Sequence, residues 1–390
     1  MEQGVILSVQ DLRVSFGDTE AVHGIQFQLN KGQILGIVGE SGSGKSVTAL
    51  SIMQLLSEPG RISEGSIWFQ HDGRKPLDLC QQKGKVLRQI RGNEIAMIFQ
   101  EPMTSLNPVF TCGYQVAESL RLHKGLNKKA ARQEVISLFK QVELPRPEQM
   151  YDAYPHELSG GQKQRVMIAM AISCDPEVLI ADEPTTALDV TVQGSILKLI
   201  QQLQHDRGMS VIFITHDLGV IAEIADEVLV MYRGNIVEKS GILPIFQSPQ
   251  HPYTKGLLAC RPPLDRKLDR LPTISDFMQE GASGEMESIP AVEPVPVSSS
   301  EARLQQLLEE PIIPESPTDK PLLEVKNLST WFYQRGSLFS GKKEPIKAVD
   351  GVNFEVFPGE TLGLVGESGS GKTTLGRSIL RLIEPGSGDV

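Results

Sequence analysis

The chain has 390 residues, of which 40% are hydrophobic and 22% are charged, and its net charge at pH 7 is −10. This length favours one large core with a second, smaller unit, and the composition is that of an ordinary globular protein. The acidic balance argues against a nucleic-acid-binding protein, which normally carries a basic face.

Neither a disulfide framework nor a membrane span is expected. The four cysteines, Cys80, Cys112, Cys174 and Cys260, are far apart and form no CxxC pair, which favours reduced thiols. The first residues lack the long apolar stretch of a secretory signal, and no run of about 18 apolar residues predicts a membrane helix. We therefore expect any membrane role to be peripheral, through a partner.

Short strands are predicted over residues 7–37. Apolar and polar residues alternate over 12–16 and again over 25–29, which is the period of half-buried strands. Phe16 ends the first of these runs, where its ring is either a platform for a purine base or a core side chain. Ile67 and Phe69 add another strand within 58–92, a stretch otherwise predicted to be surface connections.

A glycine-rich turn follows the apolar run 34–38. Its sequence is Gly39-Glu40-Ser41-Gly42-Ser43-Gly44-Lys45-Ser46, the GxxxxGK[ST] pattern of a phosphate-binding loop. Glycines let successive backbone N–H groups point at an anion, and the N-terminus of the following helix adds the positive end of its dipole. Lys45 is placed to reach the β- and γ-phosphates, and the Ser46 hydroxyl to ligate Mg²⁺.

Polar residues directly follow three apolar runs that are typical of buried parallel strands. They are Gln100, the pair Asp182 and Glu183, and His216. The carboxyl ends of parallel strands form the ligand edge of an open α/β sheet. We expect Asp182 to hold Mg²⁺ through water and Glu183 to be the general base for the attacking water. Gln100 suits a Mg²⁺ or water ligand, and His216 would donate a hydrogen bond or relay a proton.

The segment Leu158-Ser159-Gly160-Gly161-Gln162 lies directly before a helix predicted over 163–173. Ser159 resembles an N-cap, and the glycines permit close approach of an anion to the helix start. An ordinary helix cap and a second anion site both fit this pentapeptide. Helical patterning is also predicted over 113–148, and a β-hairpin over 226–240.

The chain then repeats its own beginning after a linker. Residues 262–320 are rich in Pro, Ser and Glu, which predicts a linker with low core-forming capacity, containing one short helix at 301–310. Residues 321–390 echo the start of the chain, with an insertion near 335–345. Their phosphate loop is Gly366-Glu367-Ser368-Gly369-Ser370-Gly371-Lys372-Thr373. We expect this copy to be truncated, with a strand at 361–365 that lacks its neighbours.

Taken in order, these motifs resemble the nucleotide-binding domain of ABC transporters, with a match over residues 5–260. Ile98 to Pro108 and the tail segment His251-Pro252-Tyr253-Thr254 resemble the ATP-binding subunits of oligopeptide, dipeptide and glutathione importers. The doubled layout resembles members that fuse two such domains. The resemblance implies an α/β P-loop NTPase fold with an antiparallel β-subdomain. It also implies a helical subdomain at about 100–160 and a C-terminal tail at about 240–265.

The resemblance further implies that ATP and Mg²⁺ are the cofactors. Phe16 would stack on adenine. The phosphate-binding residues would be Gly39, Ser41, Gly42, Ser43, Gly44, Lys45, Ser46 and Val47, and in the second copy Gly366, Gly369, Gly371, Lys372 and Thr373. The metal ligands would be Ser46, Gln100 and Asp182, and the catalytic residues Glu183, His216 and Gln100. Contacts to the γ-phosphate held by a partner domain would come from Ser159, Gly160, Gly161 and Gln162. Asp189, with Asp182, Glu183 and His216, would complete hydrolysis and cross-talk.

The implied function is ATP hydrolysis that drives import of peptides or related small solutes. The implied partners are two transmembrane permease subunits docked on the helical subdomain and a second ABC nucleotide-binding domain, as a homodimer or with a paralogue. An external solute-binding protein would act indirectly, and no nucleic-acid partner is expected. The chain is expected to lie at the cytoplasmic face of the plasma membrane. Because only Cys260 lies near the tail, no iron–sulfur cluster is expected. Two alternatives are a nucleotide-binding remnant without turnover and a soluble twin-domain ABC protein unconnected with transport.

Overall fold

The computed structural model describes residues 4–71, 74–100, 105–186, 188–260, 272–274, 277–280, 286–288, 320–332, 345–367 and 369–390. The chain divides into two compact units, Met1–Val295 and Pro296–Val390. Within the described ranges, no helix combines the length and the apolar character that crossing a membrane requires.

A six-stranded sheet forms the centre of the first unit. In spatial order its strands are β10 (Asn235–Gly241), β9 (Glu227–Tyr232), β3 (Ile34–Val38), β8 (Ser210–Thr215), β7 (Val178–Asp182) and β6 (Ile95–Ile98). All neighbours are parallel except β10, which pairs antiparallel with β9 and completes the predicted hairpin. Every residue of β3, β7 and β8 is buried, which explains their continuous apolar sequences.

Strands from the beginning of the chain form a second sheet, in which all neighbours are antiparallel. Its order is β2 (Thr19–Asn30), β1 (Val5–Phe16), β4 (Gly60–Phe69) and β5 (Leu77–Asp78). The prediction that residues 58–92 form surface connections was wrong in part. Strand β4 covers ten of these residues, and a helix, α2 (Gly84–Ile90), follows it. The first half of β4 is polar and exposed. It is extended because it pairs with β1, from Phe16 opposite Gly60 to Leu7 opposite Phe69.

The other α-helices described in the first unit lie around the central sheet. They are α1 (Lys45–Ile52), α3 (Cys112–His123), α4 (Lys128–Gln141), α5 (Pro147–Asp152), α6 (Gly160–Ile172), α7 (Val190–Arg207), α8 (Leu218–Ile224), α9 (Ile242–Gln247) and α10 (Pro252–Ala259). The helices predicted over 113–148 are confirmed as α3, α4 and α5. Alternate residues of the central strands face two cores: Leu179 and Phe213 pack among helices, whereas Ile180 and Ile212 pack towards the antiparallel sheet.

The segment predicted to be a linker contains two short strands. The strands β11 (Met278–Glu280) and β12 (Met286–Ser288) pair antiparallel, and Met278 is buried in the helical core of the first unit. The first part of 262–320 therefore contributes to a core, contrary to the expectation from its composition. The short helix predicted at 301–310 lies outside the described residues.

The described residues of the second unit form a three-stranded sheet and one helix. The sheet order is β14 (Ile346–Val356), β13 (Leu323–Phe332) and β15 (Ser387–Asp389), and the helix is α11 (Lys372–Ile379). Residues 361–365 form no strand, and Val365 is 90% exposed. Their counterpart β3 has a partner strand on each side, whereas no described strand of the second unit pairs with them. Most of the insertion predicted near 335–345 lies outside the described residues.

We expect Gly113→Ala to destabilise the first unit. A Cβ atom on Gly113 would lie 2.2 Å from Cδ2 of the Tyr151 ring, and that ring is held 4.1 Å beneath the Arg132 guanidinium. Overpacking of this kind costs about 1–3 kcal/mol. The matched change Gly194→Ala, on α7, meets nothing within 4 Å and should stabilise by about 0.5–1 kcal/mol. Denaturant unfolding of both variants measures the difference; an unchanged Gly113→Ala protein would contradict this packing.

Candidate functional site

The turn between β3 and α1 folds around the ammonium group of Lys45. This side chain is only 4% exposed, and its Nζ donates to the carbonyl oxygens of Gly39 at 2.7 Å and Glu40 at 2.8 Å. Burial lowers the pKa of the Lys45 ammonium, while the carboxylates of Glu183, Asp182 and Glu40 oppose that shift. A negatively charged phosphate bound in this turn would therefore take the place of the carbonyl oxygens as a stronger acceptor for the ammonium.

A side chain would be strained at two glycines of this turn. Gly39 has φ +153°, and a Cβ atom there would lie 2.1 Å from the backbone oxygen of Met231 on β9. Gly44 has φ +99° and caps α1, and its Cβ atom would lie 3.1 Å from the backbone oxygen of Ala21. The loop backbone therefore lies directly against neighbouring strands. These close approaches and positive φ angles are the features by which glycine-rich loops expose N–H groups to phosphate.

The second unit repeats the loop conformation. Gly366, Gly369 and Gly371 have φ angles of +155°, +85° and +94°, close to those of the first loop. Lys372 Nζ donates to the carbonyl oxygens of Gly366 at 2.6 Å and Glu367 at 2.7 Å. Unlike Lys45, Lys372 is only partly buried. Thr373 follows it at the second position of α11.

Ser46 and Asp182 meet beside the first loop. The Ser46 hydroxyl donates to Asp182 Oδ1 at 3.1 Å, and Asp182 is 3% exposed at the end of β7. Burial raises the pKa of the Asp182 carboxyl, and the Ser46 hydrogen bond partly opposes that shift. A hydroxyl and a carboxylate are the hard oxygen ligands that Mg²⁺ prefers, together with water and phosphate oxygens. The residues present therefore fit a Mg²⁺–nucleotide complex.

The neighbouring carboxylate, Glu183, collects three contacts on one oxygen. Its Oε2 accepts from Gln100 Nε2 at 3.2 Å and from Thr186 Oγ1 at 2.9 Å, and it lies 3.4 Å from His216 Nδ1. Glu183 also has φ +45°, a left-handed conformation that is uncommon for a residue with a long side chain. Backbone strain of this kind occurs where the surrounding structure fixes a functional side chain.

The structure thus brings together Gln100, Glu183 and His216, as the sequence predicted, and adds Thr186. Sequence reasoning missed Thr186, although a hydroxyl three residues after a carboxylate in a Pro-containing turn was a usable signal. Phe16 is the last residue of β1, in the antiparallel sheet, and is partly exposed. Its ring lies close to Gly60: a Cβ atom on Gly60 would be 2.5 Å from Phe16 Cε1.

Ser159 and Asp189 both cap helices in this unit. Ser159 Oγ accepts from the backbone N–H of Gln162 at 3.3 Å, and Gln162 Oε1 accepts from that of Ser159 at 3.0 Å, which forms a capping box. Asp189 Oδ1 accepts from the backbone N–H of Val192 at 3.0 Å. Gly160 and Gly161 follow Ser159, and a Cβ atom on Gly161 would lie 2.8 Å from Val192 Cγ1. The starts of α6 and α7 are therefore neighbours.

Comparison with known sequences identifies this arrangement. A family model described as ABC transporter matches residues 22–186 and 349–390. The chain belongs to the ABC transporter family. Among curated relatives, the glutathione import ATP-binding protein GsiA of Shigella boydii serotype 4 (strain Sb227) is 47% identical over 396 aligned positions, which cover 100% of this chain. The protein of the same name from Escherichia coli (strain K12) is 46% identical. The chain spans about 60% of the length of these relatives.

Solved structures of ABC domains confirm the predicted fold class. The ATP-binding cassette MJ0796 in a dimeric post-hydrolysis state bound to ADP and Pi is 26% identical, with a TM-score of 0.54, and the match covers 61% of this chain and 99% of that one. The cbiO1 protein of Clostridium perfringens, part of the ABC transporter complex cbiONQ, is 30% identical with a TM-score of 0.54, covering 63% of this chain and 92% of that one. The first unit is thus an α/β ABC domain with antiparallel and helical parts.

We expect Asp182→Asn to raise the thermal stability of the ABC domain at pH 7. The pKa of the Asp182 carboxyl is raised in the fold, so the ionised form present at pH 7 opposes folding, and asparagine removes that charge. A gain of about 1 kcal/mol corresponds to a shift of about 2–4 °C in the unfolding midpoint. The gain should disappear at acid pH, where both the folded and the unfolded chain are protonated at this position.

The control for this experiment is Asp152→Asn. The Arg132 hydrogen bond lowers the pKa of the Asp152 carboxyl, so neutralising it removes a favourable contact and should not stabilise. Scanning calorimetry of the three proteins without nucleotide measures the effect. A midpoint that falls in Asp182→Asn would contradict the burial cost assigned to this carboxylate.

Proposed function

We propose that this chain binds and hydrolyses ATP as the energy-coupling subunit of an ABC importer for peptides or related small solutes. One observation carries the proposal: the phosphate loop, the Ser46–Asp182 pair and the Glu183 cluster converge at the carboxyl edge of one parallel sheet. The relatives named as glutathione import ATP-binding proteins support the direction of transport and the class of substrate. Within this proposal, residues 5–260 are a full ABC nucleotide-binding domain, and 321–390 belong to a second one.

The roles of the loop residues follow from their positions. The backbone of 39–47 would hold the nucleotide phosphates, with Lys45 donating to the terminal ones. Ser46 and Asp182 would hold Mg²⁺ together with Gln100, and the ion would neutralise charge on the phosphates when it is bound. The ring of Phe16 would support the adenine. In the second unit, the loop at 366–373 has the conformation for the same kind of contact.

Glu183 is the proposed general base. Its carboxylate is 7% exposed at the sheet edge, next to the loop that would hold the terminal phosphate. Because Gln100, Thr186 and His216 all contact Oε2, the carboxylate is oriented so that water would give its proton to Oε1. His216 is 55% exposed at its side chain, which would let it hydrogen-bond the terminal phosphate from the solvent side.

A second ABC domain would complete this site. Ser159, Gly160, Gly161, Gln162 and Asp189 lie at adjacent helix starts, and a helix N-terminus favours phosphate. We propose that these residues face the nucleotide of a partner domain, in a homodimer or with a paralogue. The dimeric state of the ADP- and Pi-bound neighbour supports this arrangement.

The helical part of the domain offers a surface for membrane partners. Val109 is 70% exposed and Leu122 is 73% exposed, and the rings of Phe110 and Tyr114 stack with centroids 5.1 Å apart. We propose that two transmembrane permease subunits dock here, which places the chain at the cytoplasmic face of the plasma membrane. An external solute-binding protein would then act only through those subunits.

We expect Glu183→Gln to lower the rate of ATP hydrolysis by about 10²–10⁴-fold, because a general base contributes about that factor. MgATP binding should be retained, and MgATP should hold the variant as a dimer. The matched control Glu223→Gln changes an exposed residue of α8 and should leave the rate unchanged. Turnover of full-length protein with reconstituted permease subunits, and light scattering with MgATP, provide the measurements.

Two results would count against these assignments. An unchanged rate in Glu183→Gln would exclude that residue as the base. A wild-type protein that stays monomeric with MgATP, and hydrolyses nothing even with membrane subunits present, would favour a nucleotide-binding remnant.

A further inference from the structure

The tail of the first unit reaches the phosphate loop through one side chain. Tyr253 lies near the start of α10 and is 0% exposed. Its hydroxyl oxygen accepts a hydrogen bond of 2.8 Å from the backbone N–H of Glu40, which is 213 residues earlier in the chain. Glu40 is the second residue of the loop. A segment outside the sheet edge thus contacts the loop backbone directly.

The central sheet fixes the position of this tyrosine. The carboxylate of Glu238, on β10, accepts from the backbone N–H groups of Gln250 at 2.8 Å and His251 at 3.0 Å. His251 Nδ1 in turn accepts from the N–H of Tyr253 at 3.1 Å and caps α10. The Tyr253 ring lies 4.3 Å from the ring of Tyr232 on β9. The hydroxyl is therefore placed by contacts that do not involve the loop.

The Glu40 residue is held from both sides. Its carbonyl oxygen accepts from Lys45 Nζ at 2.8 Å and from the N–H of Ser43 at 3.2 Å. The hydrogen bond from Lys45 to Glu40 lasts only while the ammonium stays at the carbonyl oxygen. A bound phosphate would attract the ammonium away from that oxygen. The Tyr253 bond is independent of Lys45. Burial raises the pKa of the Tyr253 phenol, so it stays a neutral hydroxyl at physiological pH.

We propose that Tyr253 is a positioning residue that holds the beginning of the phosphate loop in its nucleotide-binding conformation and thereby sets the affinity for MgATP. This inference rests on the proposed function of the loop as an ATP site. Tyr253 would contact no part of the nucleotide. It would act by keeping the Glu40 peptide oriented when the ammonium of Lys45 turns to a phosphate, because preorganised binding groups lose less freedom on binding.

The test uses the full chain with Lys372→Ala in every protein, so that binding reports on the first loop alone. Tyr253→Phe removes the hydroxyl and keeps the ring. The matched control Tyr232→Phe makes the same change on the neighbouring ring and leaves the Tyr253–Glu40 bond in place. Three quantities are measured: the Kd for MgATP by calorimetry, the hydrogen exchange of loop amides at 39–46 without nucleotide, and KM with kcat for ATP.

We expect Tyr253→Phe to weaken MgATP binding and raise KM by about three- to tenfold, the change that loss of one neutral hydrogen bond produces. Its kcat at saturating ATP should match wild type, and Glu40 should exchange faster while amides of β7 keep their protection. Tyr232→Phe should behave as wild type in all three measurements.

Any other outcome counts against the inference or against the proposed function. An unchanged Kd in Tyr253→Phe, or an unchanged exchange of Glu40, would overturn the inference. Loss of protection across β7 together with a fall in kcat would show that the hydroxyl supports the whole fold, which also overturns it. If wild type binds no MgATP, the proposed function fails, and the exchange of Glu40 still decides whether Tyr253 holds the loop.

Discussion

The burial of one ammonium together with two carboxylates is the constraint on which the site depends. Lys45, Asp182 and Glu183 are each less than 8% exposed, and taking such charges out of water costs several kcal/mol per ion unless they are paired and hydrogen-bonded. The fold compensates with the carbonyl oxygens of the loop, the Ser46 hydroxyl and the donors around Glu183. Because these contacts come from β3, β6, β7, β8 and the segments after them, the charges stay together only while the parallel register holds.

The two phosphate loops separate what local sequence determines from what tertiary packing determines. Both sites have the sequence GESGSGK. Its three glycines have nearly the same φ angles at both sites, and both lysines donate to the first two carbonyl oxygens of their loops. The preceding segments differ. Ile34–Val38 is a fully buried strand, whereas 361–365 is exposed and forms none. The loop conformation is thus encoded locally by its glycines, while the strand needs partners on both sides.

That distinction explains which features could be predicted from sequence. The buried strands, the glycine-rich loop and the polar residues at strand ends carry strong local patterns, so the sheet edge and the group of Gln100, Glu183 and His216 were predictable. The polar half of β4 and the paired strands β11 and β12 were missed, because their extended conformation comes from cross-strand pairing and, for β11, from the burial of Met278. The contact of Tyr253 with Glu40 was also missed, since no local pattern reports a hydrogen bond between residues so far apart.

The close approach of Gly161 to Val192 has a consequence for two helices at once. With no Cβ atom at 161, the first turn of α6 lies close to the first turn of α7, and a Cβ atom there would be 2.8 Å from Val192 Cγ1. A larger residue at 161 would therefore push the starts of α6 and α7 apart. Because Ser159 and Asp189 cap these two helices, the distance between the two caps would change with it.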